Sequence, residues 1–301
     1  MASITLGIIG FGEVGGIFGR GLRGKDGVEA VHAWDLKFAG AEGPRAQEAA
    51  SADSIAPAGS MQSLCAQATL LISAVTASNT LAVAEEAARY LRPGTVFLDL
   101  NSASPGTKQR AAAAIESAGG HYVEAGVMTS VPPYGIKVPM LLGGAQAADL
   151  ARTLNRWGMD AKAVSEKLGV ASAIKMSRSI MIKGLEALVI EAYTNARAYG
   201  VEDHVLPTLQ ETFPQIDWSQ QGAYFFSRVV QHGKRRAEEM RESANTVKEA
   251  GFNPFMASAI AEKQDWVAGL ARAGVFEGLS GKSPWQDYAD RLLAQRKADQ
   301  A

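Results

Sequence analysis

Residues 4–9, ITLGII, form a short apolar run that leads directly into Gly10-Phe11-Gly12-Glu13-Val14-Gly15, a G-x-G-x-x-G pattern. A strand followed at once by three glycines at this spacing leaves the chain few choices. The first glycine permits a tight turn, the second lets backbone N–H groups approach a pyrophosphate, and the third lets a helix pack closely on the strand. The positive end of that helix's dipole then faces the phosphates. Such a pattern also arises by chance, so its context decides. A second strand-like run, residues 28–34, is followed by Asp35, 20 residues after Gly15. An acid at this distance binds the ribose 2′-hydroxyl in an NAD site. The segment Gly10, Phe11, Gly12, Glu13, Val14 and Gly15 is therefore expected to hold a dinucleotide. Asp35 would repel a 2′-phosphate and favours NAD, whereas Lys37, two residues on, would pair with that phosphate and admit NADP.

The rest of the first half alternates between two kinds of segment. Strands are expected at residues 4–9, 28–34, 70–75, 95–100, 121–127 and 138–142, with Ala-rich helices at 41–50, 80–91 and 107–118. Short apolar runs alternating with helices imply a parallel sheet covered on both faces. From about Leu168 onward the periodicity is helical. The expected fold is α/β: a Rossmann-type doubly wound parallel sheet in residues 1–165, then an all-α substrate or dimerisation domain in 166–301. The mixed charges of residues 234–249 suggest a solvated helix face, the alternative being a substrate-facing cluster.

Composition removes several function classes. The 301 residues carry 30 Lys+Arg and 31 Asp+Glu, a net charge of -1, so no whole-molecule field draws in nucleic acid or an anionic membrane. A single cysteine, Cys65, excludes an internal disulfide and a thiolate zinc site, and it suggests a reducing compartment. The four histidines (His32, His121, His204 and His232) match no metal-ligand spacing. Residues 4–22 look superficially like a secretory segment, but no cationic stretch precedes them and Glu13 interrupts the run. The expectation is a cytoplasmic protein with a small-molecule substrate and no metal, nucleic-acid or membrane partner.

Further motifs sit where ligands of open sheets bind, beyond the carboxyl ends of strands: Val75-Thr76 and Asp99-Leu100-Asn101-Ser102. Gly169-Val-Ala-Ser-Ala-Ile-Lys175-Met176-Ser-Arg178-Ser179 opens the helical half. With the glycine pattern, these segments resemble the β-hydroxyacid dehydrogenase superfamily, which includes 6-phosphogluconate and 3-hydroxyisobutyrate dehydrogenases. The resemblance runs along the whole chain: dinucleotide fingerprint, D-x-[SN]-[ST] segment, D-A-P-V-S-G-G-like loop, then G-x-G-x-x-x-K-x-x-x-N. The stretch from His232 to Met240 is similar to a poorly characterised branch. The resemblance implies hydride transfer between a hydroxyl-bearing carbon and nicotinamide, with Lys175 as general acid/base. It implies that Asn101 serves the nicotinamide side and Ser102 the substrate acid. Two departures concern the substrate. Residues 124–130 read E-A-G-V-M-T-S, so Met128 and Thr129 stand where the family has Ser and Gly. The asparagine four residues after the lysine is Ser179, preceded by Arg178. The usual small 3-hydroxy acid no longer matches this pattern.

On a helix advancing about 100° per residue, Ser179, Lys183 and Glu186 fall to one side of Lys175 and Arg178 to the other. Ile174, Ser177, Met181, Leu185, Leu188 and Ala192 form a separate stripe suited to packing. Acid/base work requires Lys175 below the ordinary lysine value of ~10.4. Desolvation and Arg178 would lower it, and a carboxylate such as Glu186 would raise it. The fork of Arg178 suits a substrate carboxylate or phosphate, and His232 is a candidate hydrogen-bond partner or proton relay from a later helix. Apolar segments at 180–192, 255–260 and 267–270 suggest a homodimer. Two other readings remain. One is an imine reductase on the same architecture, disfavoured because those enzymes usually carry another residue at the Lys175 position. The other is a non-catalytic dinucleotide-binding regulator, disfavoured by Lys175, Arg178, Ser179 and Ser102 together.

Overall fold

The computed structural model describes residues 3–41 and 43–299. It divides into two compact units, one ending at Met176 and the next beginning at Ser177. The first runs β1 (Ile4–Ile9), α1 (Glu13–Leu22), β2 (Val28–Trp34), α2 (Gly43–Ala52), β3 (Ala56–Pro57), α3 (Met61–Gln67), β4 (Leu70–Ser73) and α4 (Thr80–Ala88). It continues with β5 (Val96–Asp99), α5 (Pro105–Ser117), β6 (His121–Val127), β7 (Pro139–Gly143), α6 (Ala147–Arg156) and β8 (Asp160–Ser165). Helix α7 (Val170–Tyr199) contains the division between the units.

The eight strands form one sheet in the order β3-β2-β1-β4-β5-β6-β7-β8. Its core rows follow from the apolar runs: Ile8, Ile72, Leu98 and Val123 are register neighbours on β1, β4, β5 and β6, and all are fully buried. Such rows form because helices cover both faces of the sheet. Strands β1 to β6 pair in parallel, so their carboxyl ends share one edge. The order reverses at β1, which lies between β2 and β4, and ligands bind beyond such a switch point.

One pair departs from the expected all-parallel sheet. Strands β6 and β7 are antiparallel. Residues 128–138 between them contain only a short 3₁₀ turn, Gly135–Lys137, and no crossover helix of the kind a parallel return uses. Strands β3 and β8 and helices α3 and α6 are additions to the sequence expectation.

The second unit contains the rest of α7, then α8 (Glu202–Thr212), α9 (Trp218–Glu249), α10 (Phe255–Arg272) and α11 (Trp285–Asp299). No strand occurs among its described residues. Val189, Ile190, Tyr193, Phe226, Val229, Trp285 and Tyr288 form its main core. Gly233 lets α9 approach α10 closely, since a Cβ there would stand 2.7 Å from the Gln264 carbonyl oxygen.

Two expectations are corrected here. The apolar stripe of α7 is largely exposed in the single chain rather than part of its core: Ile174, Met181 and Leu188 are 40%, 66% and 55% exposed, and Leu185 is half-buried. The polar residues face inward instead, because α9 supplies their partners. Lys183 pairs with Glu239 at 2.9 Å, and Glu186 accepts from the Arg236 guanidinium, Nε at 2.9 Å. For the same reason the charged run 234–249 is not simply a solvated face. Arg236, Ser243 and Met240 are buried within it.

Candidate functional site

The glycine turn shows three distinct local demands. Gly10 has φ +88°, and a Cβ there would lie 2.6 Å from the Ala74 carbonyl oxygen and 2.8 Å from Val75 Cγ1. At Gly15 a Cβ would collide with the Gly10 carbonyl oxygen at 1.9 Å. Around Gly12 nothing lies within 4 Å, so this glycine keeps space open rather than relieving a clash. Gly12 is also the N-cap of α1 and makes no side-chain cap, so the first-turn N–H groups remain available. Glu13 and Val14 occupy that first turn. An open cradle at a helix N-terminus fits the pyrophosphate of a dinucleotide.

Asp35 closes one side of the cradle. Its Oδ2 accepts from Phe11 N at 2.7 Å and its Oδ1 from Lys37 N at 2.9 Å. Both bonds fix the carboxylate at the end of β2, where a ribose hydroxyl would be recognised. The Lys37 side chain is exposed, and the Phe11 ring packs near Phe38 with centroids 6.0 Å apart.

Beyond β4 and β5, Asn101 joins two strand ends. Its Oδ1 accepts from Val75 N at 2.7 Å, and its Nδ2 donates to Ser73 Oγ at 2.9 Å. Thr76 is exposed, with its hydroxyl oxygen accepting from Asn79 Nδ2 at 2.8 Å. The next residue after Asn101 makes the contact of greatest interest: Lys175 Nζ donates to Ser102 Oγ at 2.6 Å. The sequence separates these two by 73 positions. Gly126 on β6 makes room for the lysine's helix, since a Cβ there would stand 3.0 Å from the Ala171 carbonyl oxygen and 3.4 Å from Lys175 Cβ. Met128 is half-buried and its N–H donates to the Pro139 carbonyl, while Thr129 is exposed.

The remaining candidates lie in the second unit. Arg178 is exposed, His232 is half-buried, and buried Ser179 accepts from Lys183 Nζ at 3.3 Å. Glu186 is engaged by Arg236 and by Gln264 Nε2 at 3.3 Å, so it belongs to an ion network within the second unit.

Asp99, which the sequence shows only as the first residue of the Asp99-Leu100-Asn101-Ser102 segment, and two residues it does not single out, Lys108 and Tyr122, support the site from beneath. Asp99, at the end of β5, is fully buried and accepts from Asn101 N, Lys108 Nζ and Tyr122 Oη at 2.8, 3.0 and 2.5 Å. Burial, then the neighbouring Asp99 and Glu124, push the Tyr122 phenol well above its ordinary range. Its hydroxyl is therefore held protonated as a donor. Lys108 carried a legible signal, being one charge on the inward side of an Ala-rich helix. Among the described residues no group of three His, Cys, Asp or Glu is placed to hold a metal, and no helix is long and apolar enough to cross a membrane.

Comparison with known proteins bears on the fold and the family. Residues 5–153 match the NAD binding domain of 6-phosphogluconate dehydrogenase, and residues 196–267 match a domain of unknown function, DUF1932. A conserved hypothetical protein from Sinorhizobium meliloti 1021 is 38% identical, with 98% of this chain and 97% of that one covered and a TM-score of 0.76. A second conserved protein of unknown function, described as structurally similar to 3-hydroxyacid dehydrogenases, is 31% identical over 90% of this chain and 98% of its own, with a TM-score of 0.68. The Mycobacterium tuberculosis 3-hydroxyisobutyrate dehydrogenase, solved with L-serine, shares the fold at 17% identity and a TM-score of 0.70, with 98% and 99% of the two chains covered. The chain belongs to the family that joins a 6-phosphogluconate dehydrogenase-type NAD-binding domain to this C-terminal domain of unknown function.

Proposed function

We propose that the protein is an oxidoreductase that moves a hydride between a nicotinamide dinucleotide and the hydroxyl-bearing carbon of a hydroxy-acid-like substrate. The observation that carries this reading is the 2.6 Å hydrogen bond from Lys175 Nζ to Ser102 Oγ, at the same strand-end edge as the glycine cradle. A bound nicotinamide dinucleotide would supply the two-electron hydride acceptor or donor. The protein's part is to position and to move a proton. Ser102 orients the lysine amine and offers a hydroxyl to the substrate, and Asn101 holds the loop against β4. In the oxidative direction the deprotonated Lys175 amine takes the substrate hydroxyl proton; in reduction its ammonium returns it. Asp35, already fixed by two backbone N–H groups, is the basis for preferring NAD over NADP.

The direct test is a melting panel with NAD and NADP, followed by hydroxy acids of increasing size assayed for change in nicotinamide absorbance. NAD should stabilise the fold more than NADP at equal concentration, and a substrate should add to the cofactor's effect. Faster turnover of a cyclic imine with NADPH than of any hydroxy acid would overturn the reading in favour of imine reduction. We also propose a homodimer. Met181, Ile182 and Leu188 on α7 and Phe255 and Met256 on α10 leave apolar side chains exposed in the single chain, where such surface commonly marks an interface. Elution at the monomer mass of 31.8 kDa would contradict it.

A further inference from the structure

Two buried carboxylates lie side by side on neighbouring strands. Asp99 on β5 and Glu124 on β6 are register partners, and both are fully buried. Neighbours in register project to the same face of a sheet. Two residues earlier, Phe97 and Tyr122 stack on that face with centroids 5.8 Å apart.

Each carboxylate governs one half of the Lys175–Ser102 pair. Asp99 accepts from the backbone N–H of Asn101, and so fixes the turn that carries Ser102. It is itself held by Tyr122 Oη and by Lys108, whose ammonium also donates to the Asp99 carbonyl at 3.1 Å. Glu124 governs the other half. Its Oε1 accepts from Gly169 N at 2.8 Å and Ala171 N at 3.0 Å, at the start of the helix that carries Lys175. Lys175 stands one helical turn after Ala171. The second oxygen, Oε2, is buried and makes no hydrogen bond among the described residues. A carboxylate so placed costs desolvation that one oxygen's two bonds only partly offset. Its position at a helix N-terminus adds a favourable interaction with the helix dipole.

We propose that Asp99 and Glu124 are positioning residues for the Lys175–Ser102 pair, Asp99 acting through the turn after β5 and Glu124 through the first turn of α7. The proposal rests on the reading of Lys175 as the acid/base, but its test does not need a substrate. Trace acetylation with acetic anhydride, resolved residue by residue by mass spectrometry, reports the reactivity of Lys175 against the exposed Lys162 and Lys282 and the buried Lys108 of the same molecule. Tyr122→Phe removes one hydroxyl from Asp99 and leaves the ring stack in place. Glu124→Ala removes the helix cap, and Glu124→Gln keeps an oxygen for the two N–H groups.

Loss of a hydrogen bond of ordinary strength should raise the relative reactivity of Lys175 about threefold or more in Tyr122→Phe and Glu124→Ala. Glu124→Gln should return it to within about twofold of the parent. Unchanged Lys175 reactivity in Tyr122→Phe, or a rise shared equally by Lys108, would overturn the proposal, because the cluster would then serve only the general fold. If Glu124→Ala does not fold, Tyr122→Phe and Glu124→Gln still decide the matter. Normal labelling changes with no turnover on any hydroxy acid would count against Lys175 as acid/base while supporting the positioning role.

Discussion

The two units bury charge in opposite ways. In the first, Asp99 and Lys108 are nine positions apart, on one strand and the helix that follows it, and their ion pair braces a turn at the sheet's edge. In the second, Glu186 meets Arg236 across 50 positions and Lys183 meets Glu239 across two long helices. The first arrangement supports a turn that carries a candidate site residue. The second joins α7 to α9 and so replaces, with charge, the apolar packing that the sequence suggested. A buried charge can therefore serve a site or a core, and its partners tell which.

The largest effect is expected in the second unit. Arg236→Ala leaves Glu186 buried without its main partner and should cost about 3–5 kcal/mol of stability, read from a denaturant melt. Affinity for NAD should stay within about twofold, because every proposed cofactor residue lies in the first unit. Loss of NAD binding in a folded Arg236→Ala protein would show that the units do not divide the work in this way.

A smaller effect separates structure from function within the glycine turn. Gly15→Ala forces a Cβ into a carbonyl and should cost about 1–3 kcal/mol or more, with loss of the cofactor's thermal shift. Gly12→Ala meets open space at an ordinary φ of -84° and should melt like the parent. It should still weaken NAD by about tenfold, equivalent to about 1.4 kcal/mol, by filling the cradle. Equal losses of stability in the two variants would contradict the distinction. The smallest effect concerns Cys65, whose thiol is buried and pushed up to about 12, chiefly by desolvation. With its thiolate suppressed at neutral pH, it should not react with an aromatic disulfide reagent in the native protein and should titrate as one thiol in denaturant.

How much of this was visible in the sequence depends on the distance over which each signal acts. Gly15 answers to a demand made within one strand-turn-helix unit, and Gly10 and Asp35 stand at fixed spacings from it, so spacing alone pointed to them, although the Ala74 carbonyl and Val75 that crowd Gly10 follow β4. The strands that build the edge were equally plain, since Leu70–Ser73 and Val96–Asp99 are short apolar runs. Helix α6 was missed although Ala147, Leu150, Ala151 and Leu154 show helical spacing. Strand β3 is two residues long and too short for any periodicity to reveal. The α7 stripe misled for a deeper reason. Helical spacing identifies two faces but not which one turns inward, and Arg236 and Glu239 reversed the usual preference by pairing with the polar side. Glu124 was seen only as a departure from the D-A-P-V-S-G-G pattern. Its cap on Gly169 and Ala171 joins residues 45 and 47 positions apart, which no local signal conveys.

The role proposed for Lys175 is to move the proton. Lys175→Ala should lower turnover of the hydroxy-acid substrate found in the panel by about 10²–10⁴-fold, with the NAD dissociation constant unchanged. Turnover equal to the parent's in the alanine variant would rule that role out.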